Sequence, residues 1–258
     1  MHNLQCLSFL DKGVLPHVLF ASPNQLHLEN LSGVHVVTEE DAIALSTIPT
    51  LTKLCITCIW GNHAAFLGRL PRLTCLEIRD VYDEAGITHV MECIQKCAEL
   101  TELHLGNILF SGAHLAILLS QLPKLKVLSR WGCKKETSLS CLQVGNLPAT
   151  LTELYIGPCN VKLSLQKMHV LRKLRVLQFS AETFNKMDQR VAEWFESVSQ
   201  SPSFLFPALE NVITTHLRAN HNGKLKLESP RHGGPFALPF VFEQPMLNTT
   251  IKHDMKAL

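Results

Sequence analysis

The sequence predicts an α/β solenoid, with a curved parallel sheet on its concave side and helices on its convex side. Three observations carry this. The nine residues LTELHLGNI at 100–108 return as LTELYIGPC at 151–159, and a third version, LKVLSRWGC, stands between them at 125–133. Aligned on L-x-x-L-x-L, first positions fall at Leu51, Leu73, Leu100, Leu125, Leu151 and Leu174, with a weaker copy from Leu209. A recurrence of roughly 20–50 residues is the mark of stacked coils. Between the leucine blocks the apolar period changes from 2 to that of a helix.

Within each block the fourth and sixth residues point to one face and the third, fifth and seventh to the other, which makes a strand with one buried side. Leu54 and Ile56, Leu76 and Ile78, Leu103 and Leu105, Leu128, Leu154 and Ile156, and Leu177 and Phe179 are the predicted core positions. In DEAGITHVMECIQKCAEL the apolar Ile87, Val90, Met91, Ile94 and Cys97 form a helical stripe. In SGAHLAILLSQLPKL, Ser111 is the expected N-cap, Leu115, Leu118, Leu119 and Leu122 the stripe, and Pro123 the stop. Ser138–Leu147 reads as a third helix. One strand joined to one helix and repeated makes a parallel sheet, because every strand returns to the same end through a crossover.

The ends differ from the middle. HNLQCLSF places a strand over Leu4, Leu7 and Phe9, and a second is expected within Asn24–Leu31. No polar cap precedes them, and since solenoids need terminal caps the sequence reads as cut from a longer protein. The step from 174 to 209 is the longest, and DQRVAEWFESV within it aligns Val191, Trp194, Phe195 and Val198 on one helical face. The expected organisation is therefore a solenoid over 1–217, with its best repeats at 51–180 and a capping repeat at about 181–217. Residues 218–258, rich in Gly, Pro and polar residues, are expected to be a loop-rich tail.

These units resemble leucine-rich repeats of the ribonuclease-inhibitor-like, helix-bearing type. Cys133 and Cys159 occupy the N/C position of L-x-x-L-x-L-x-x-N/C. Ile59, Val81 and Ile108 replace that residue elsewhere, so looser loops are expected there. LTELHLGNILFSGAHLAILLSQLPKLKVL and LTCLEIRDVYDEAGITHVMECIQKCAELTEL further resemble the C-terminal repeats of NACHT/NOD-like innate immune receptors, in which a D/S-x-G turn opens each helix. That resemblance implies a non-catalytic module for protein–protein interaction or ligand sensing. LPHVLF at 15–20 resembles the opening of an F-box and supplies the alternative, a substrate adaptor of a ubiquitin ligase. Against it, strand-like residues follow closely.

Composition narrows the classes. The chain is 46% hydrophobic and 18% charged, enough to build a large core. Its 24 basic and 22 acidic residues are scattered in both halves, so no basic stripe points to nucleic acid or to an anionic membrane. The N-terminus lacks the basic start of a signal peptide, and no apolar run reaches the roughly 18–20 residues of a membrane span. Nine cysteines, an odd number, fit reduced thiols and a cytoplasmic setting.

No catalytic signature emerges. Cys55 and Cys58 form a C-x-x-C without a second pair, His89 and Glu92 belong to no H-E-x-x-H, and nucleotide-binding and nucleophile-elbow motifs are missing. The expectation is no enzyme, no metal and no cofactor. Function is expected instead from the outward positions of the sheet: Trp131 and Tyr155 as aromatic anchors, flanked by Glu77, Arg79, Glu102, His104 and Glu153. Arg130 occupies a sixth, core-facing position, and a one-residue bulge there would turn Arg130 out and Trp131 in. The strip of six strands offers on the order of 350 Å², against about 800 Å² per partner in a standard interface, so tight binding would need flanking loops or further repeats.

Overall fold

The leucine at the fourth position of every repeat joins one column. Leu7, Leu31, Leu54, Leu76, Leu103, Leu128, Leu154, Leu177 and Val212 follow one another across the sheet in parallel register. Leu54 through Leu177 in this column are at most 2% exposed. A strand carrying one such leucine cannot hide it alone, so each coil stacks on the next.

The computed structural model describes residues 5–9, 15–19, 27–83, 85–108, 112–130, 142–143, 147–156, 161–162, 171–180, 208, 211–215, 217–219 and 225–227. The chain divides into two units, Met1–Glu228 and Ser229–Leu258, and every described residue belongs to the first. In chain order the elements are β1 (Cys6–Ser8), α1 (Pro16–Leu19), β2 (Asn30–Val36), α2 (Glu39–Ser46), β3 (Lys53–Ile59), a 3-10 segment (Gly61–Arg69), β4 (Cys75–Ile78), α3 (Gly86–Ile94), β5 (Glu102–Leu105), α4 (Gly112–Ser120), β6 (Val127–Arg130), β7 (Leu142–Gln143), β8 (Glu153–Ile156), β9 (Val161–Lys162), β10 (Val176–Ser180), β11 (Asn211–Thr215), β12 (Leu217–Ala219) and β13 (Leu225–Leu227). One nine-stranded parallel sheet runs β1-β2-β3-β4-β5-β6-β8-β10-β11. This is the leucine-rich repeat α/β solenoid.

Helix stripes and strand interiors share one apolar core. Ile87, Val90, Met91, Ile94 and Cys97 from the α3 region and Leu115, Leu118, Leu119 and Leu122 from the α4 region are all buried in it. Ser111 and the cap segment 181–207 lie outside the described residues. A hydroxyl ladder binds the strand entries together. The carbonyl of Thr74 accepts the N–H groups of Thr101 and Glu102, at 2.8 and 3.0 Å, and the Thr101 hydroxyl at 3.1 Å. Thr52 serves Thr74 and Cys75 in the same way. In the four repeats that open with Leu-Thr, the threonine hydroxyl finds its acceptor in the same carbonyl one coil back.

The N-terminal coil departs from the expected boundaries. Its strand is Asn30–Val36, not a segment within Asn24–Leu31, because the register places Leu31 beside Leu54 and Val34 beside Ile56. The pairing slips between Ser32 and Val34, where Gly33 adopts φ +77°. A side chain at Gly33 would collide with the Phe9 carbonyl oxygen. The chain then enters α2 through a capping box that the sequence TEED carries: the Thr38 hydroxyl accepts from Asp41 N–H at 3.3 Å, while the Asp41 carboxylate accepts from Thr38 N–H at 2.9 Å. Asp41 is fully buried and also accepts from Val37 N–H, the Thr38 hydroxyl and the His17 main chain, with the His17 ring 2.7 Å away.

Three further expectations change. Within Ser138–Leu147, expected as helix, Leu142–Gln143 is a short strand that pairs in parallel with Val161–Lys162 of the next coil. Apolar residues at the N/C position do not loosen their loop: β3 runs on to the buried Ile59, whose N–H donates to Asp80 O and whose carbonyl accepts from Tyr82 N–H, and Ile59 bridges Val81. Burial and backbone pairing there replace the side-chain ladder. The segment after Leu217 contains an antiparallel pair, Leu217–Ala219 with Leu225–Leu227, and the intervening NHNGK sequence carries the Asn-Gly signal of a hairpin. The bulge weighed as an alternative at Arg130 is absent from β6: Leu105, Arg130 and Ile156 are in register, and Arg130 stays on the core side at 2% exposure. Trp131 lies outside the described residues.

Among the described residues no helix is long and apolar enough to cross a membrane. Truncating the leucine column, as in Leu103→Ala, is expected to lower unfolding free energy by about 2–5 kcal/mol, read from the urea midpoint. Burial alone would raise the Asp41 pKa, but its hydrogen bonds from His17, Thr38 and Val37 hold it below the usual value. Its contribution to stability is therefore complete above the ordinary carboxylate range and disappears as pH falls through the depressed folded value. Asp41→Asn should flatten that acid limb in a series of denaturant melts.

Candidate functional site

The face opposite the helices receives the third, fifth and seventh residues of each repeat. In register across β3, β4 and β5 the third positions are Lys53, Cys75 and Glu102 and the fifth are Cys55, Glu77 and His104. Neighbouring strands lie about 4.8 Å apart, so opposite charges and thiols stand shoulder to shoulder. On β4 the Arg79 Nε–H donates to Glu77 Oε1 at 2.7 Å, with Arg79 49% exposed and Glu77 12%. On β5, His104 Nε2 lies 3.9 Å from Glu102 Oε2. Gly106, at the seventh position, admits the close approach of Arg79, whose main chain a Cβ at Gly106 would strike.

The electrostatics are those of a quiet surface. Burial, reinforced by the neighbouring Glu77 charge, pushes the Cys55 thiol up to about 12, and burial with Glu102 does the same to Cys75. Both are protonated at neutral pH and so are poor nucleophiles. The imidazole of His104 draws the Glu102 carboxyl below its usual value against the opposing effect of burial. Desolvation, then the Glu153 carboxylate, raises the Tyr155 phenol.

Glu77 of β4 and Arg79 just after it therefore stand beside Glu102 and His104 of β5. Glu153 and Tyr155 stand farther along the sheet on β8, beyond β6. Tyr155, expected as an exposed anchor, is only 8% exposed. Its hydroxyl donates to Glu153 Oε2 at 2.7 Å, and its neighbours in the fifth column, Ser129 and Gln178, are buried too. An outward position on this sheet does not mean an exposed one. Cys58, expected to leave the strand, lies within β3 and is buried.

Two groups were missed. Trp60 and Tyr82 follow the bridge between Ile59 and Val81, are 41% and 51% exposed, and hold their ring centroids 5.4 Å apart at 32°. Each is the ninth residue after the first leucine of its repeat, a match that the alignment contains. The loop that carries them is tied by Gly61 N–H to Asp83 Oδ1 at 2.7 Å, and burial with the Asp80 charge raises the Cys58 thiol beneath it to about 11. The second group is Cys75, Glu102 and His104, whose sulfur, carboxylate oxygen and ring nitrogen all lie within 4.8 Å of one another. No single stretch of sequence contains it, because its strands belong to consecutive coils.

No protein-family model matches the sequence, and no curated protein does. Among solved structures, an internalin of Listeria monocytogenes (inlF) is similar at 17% identity and TM-score 0.33, with 62% of this chain and 53% of that chain covered. A second Listeria internalin, C2, shows 16% identity and TM-score 0.36 over 69% of this chain and 84% of its own. The leucine-rich repeat-containing protein LegL7 from Legionella pneumophila shows 12% identity and TM-score 0.33, covering 86% and 92%. The match thus spans about half the length of the first internalin.

Proposed function

We propose that this chain is a non-catalytic protein-recognition module, acting through the charged sheet face at β4–β5 and the aromatic edge beside it. The observation that carries the reading is the Trp60–Tyr82 pair: two large rings, half exposed, stacked on each other and fixed to a backbone-bridged loop. Aromatic and arginine side chains supply most of the energy in protein interfaces, and ordering them beforehand spares the entropy of doing so on binding. Arg79, half exposed and held by Glu77, stands two residues before Val81 on the same edge. A folded β-solenoid of this kind offers a rigid platform and leaves its outward side chains free to vary.

In its finer form the reading is a ligand-sensing segment of a NACHT/NOD-like innate immune receptor in the cytoplasm. It draws on the helices α3 and α4, each of which begins on a glycine, Gly86 and Gly112, and on cysteines that are thiols at all six described positions. The F-box adaptor is the lesser alternative. Here α1 is four residues long and its His17 is seated against Asp41 of α2, which supports reading it as part of the repeat stack.

The test is affinity capture from cell extract with the intact chain and with Trp60→Ala/Tyr82→Ala and Arg79→Ala. Each hot-spot truncation should weaken a specific partner by about 2 kcal/mol or more, roughly 30-fold, with melting curves close to the parent's. Equal capture by all three proteins would remove the proposed surface.

A further inference from the structure

We infer that Cys75, Glu102 and His104 form a binding site for one divalent metal ion of the zinc class, on the sheet face between β4 and β5. The register sets Cys75 directly beside Glu102 on the neighbouring strand, and alternation along β5 returns His104 to the same face two residues later. The three potential ligand atoms fall within 4.8 Å of one another before any ion draws them in. Tetrahedral zinc, with bonds of about 2.0–2.3 Å, needs ligand atoms about 3.3–3.6 Å apart. Closing the difference takes side-chain rotation alone, and the ladder between the strands holds the main chain in place.

The donor set selects the ion. One sulfur, one imidazole nitrogen and one carboxylate oxygen match zinc and its neighbours in the transition series, whereas magnesium and calcium require several oxygen ligands. Charge closes as well: a thiolate, a carboxylate and a neutral imidazole around a dication leave no net charge to bury. The thiol proton is released to solvent as the metal–sulfur bond forms, and no electron is transferred. Cys75 is 5% exposed, while the Glu102 and His104 side chains are 35% and 14% exposed, so the sulfur forms the floor and the other two the open side of the site. Three protein ligands leave a fourth position facing out from the sheet, where water or a donor atom from another molecule completes the tetrahedron. The site stands whether or not the sheet face also recognises a protein.

Cobalt substitution tests this in the full chain, reduced and stripped with chelator. Titration with Co²⁺ should saturate at one equivalent, with a thiolate-to-cobalt charge-transfer band in the near ultraviolet and intense visible bands of tetrahedral cobalt, all displaced by Zn²⁺. Cys75→Ser should abolish the charge-transfer band. Glu102→Gln and His104→Ala should each weaken binding by at least about 10-fold, and Glu102→Gln, a near-isosteric change on the open side, serves if Cys75→Ser disturbs folding. Cys55→Ser/Cys58→Ser should leave the spectrum unchanged. The inference is overturned if no such bands appear, if they survive Cys75→Ser in a folded protein, or if they vanish only with the Cys55/Cys58 pair.

Discussion

Everything in the described part of this protein depends on one requirement: a leucine placed on the inner face of a short strand can leave water only if another coil stacks against it. Because the strands are parallel and in register, the requirement propagates from Leu7 to Leu177 without a break. The ladder at the strand entries does the polar half of the same work, since each carbonyl at a coil's start accepts two main-chain N–H groups of the next coil, with the threonine hydroxyl added where one is present. Hydrophobic stacking sets which residues repeat, and the ladder sets their phase.

That phase decides what the opposite face can be. Once Leu76 and Leu103 are aligned, Cys75 must meet Glu102 and Glu77 must meet His104. The chemistry on this face is thus a by-product of core registration, and it is held by main-chain hydrogen bonds that no side-chain substitution on the surface removes. The same logic explains the aromatic edge. Filling the N/C position with Ile59 and Val81 buries Ile59 in the core with Val81 packed against it, extends the strand pairing, and projects Trp60 and Tyr82 as neighbours at its rim. A substitution that reads as a defect against the consensus pattern builds the most exposed aromatic feature among the described residues.

Burial on the outward face is the main surprise. Cys55, Cys75, Ser129, Tyr155 and Gln178 all point away from the helices yet are nearly closed to solvent. Side chains on parallel strands are only one strand spacing from their neighbours, and Ser129, Tyr155 and Gln178 stand side by side in the fifth column. Polar residues tolerate this by pairing locally, as Tyr155 does with Glu153 and Glu77 with Arg79.

By itself the sequence determined the repeat, the parallel solenoid, the core column and the helical stripes of α3 and α4, because periodic burial is written directly in the spacing of apolar residues. It also placed Glu77, Arg79, Glu102 and His104 on one face, through strand alternation alone. The tertiary structure decided what depends on the neighbouring coil: that Arg130 lies inward in an unbulged strand, that Tyr155 is covered, that Leu142–Gln143 pairs as a strand, and that Gly33 bends β2 away from the expected boundary. It also decided that a thiol, a carboxylate and an imidazole from consecutive coils come together. Those outcomes rest on distances between residues one repeat apart, and a linear pattern records the period of the coils without recording which side chains their stacking brings into contact.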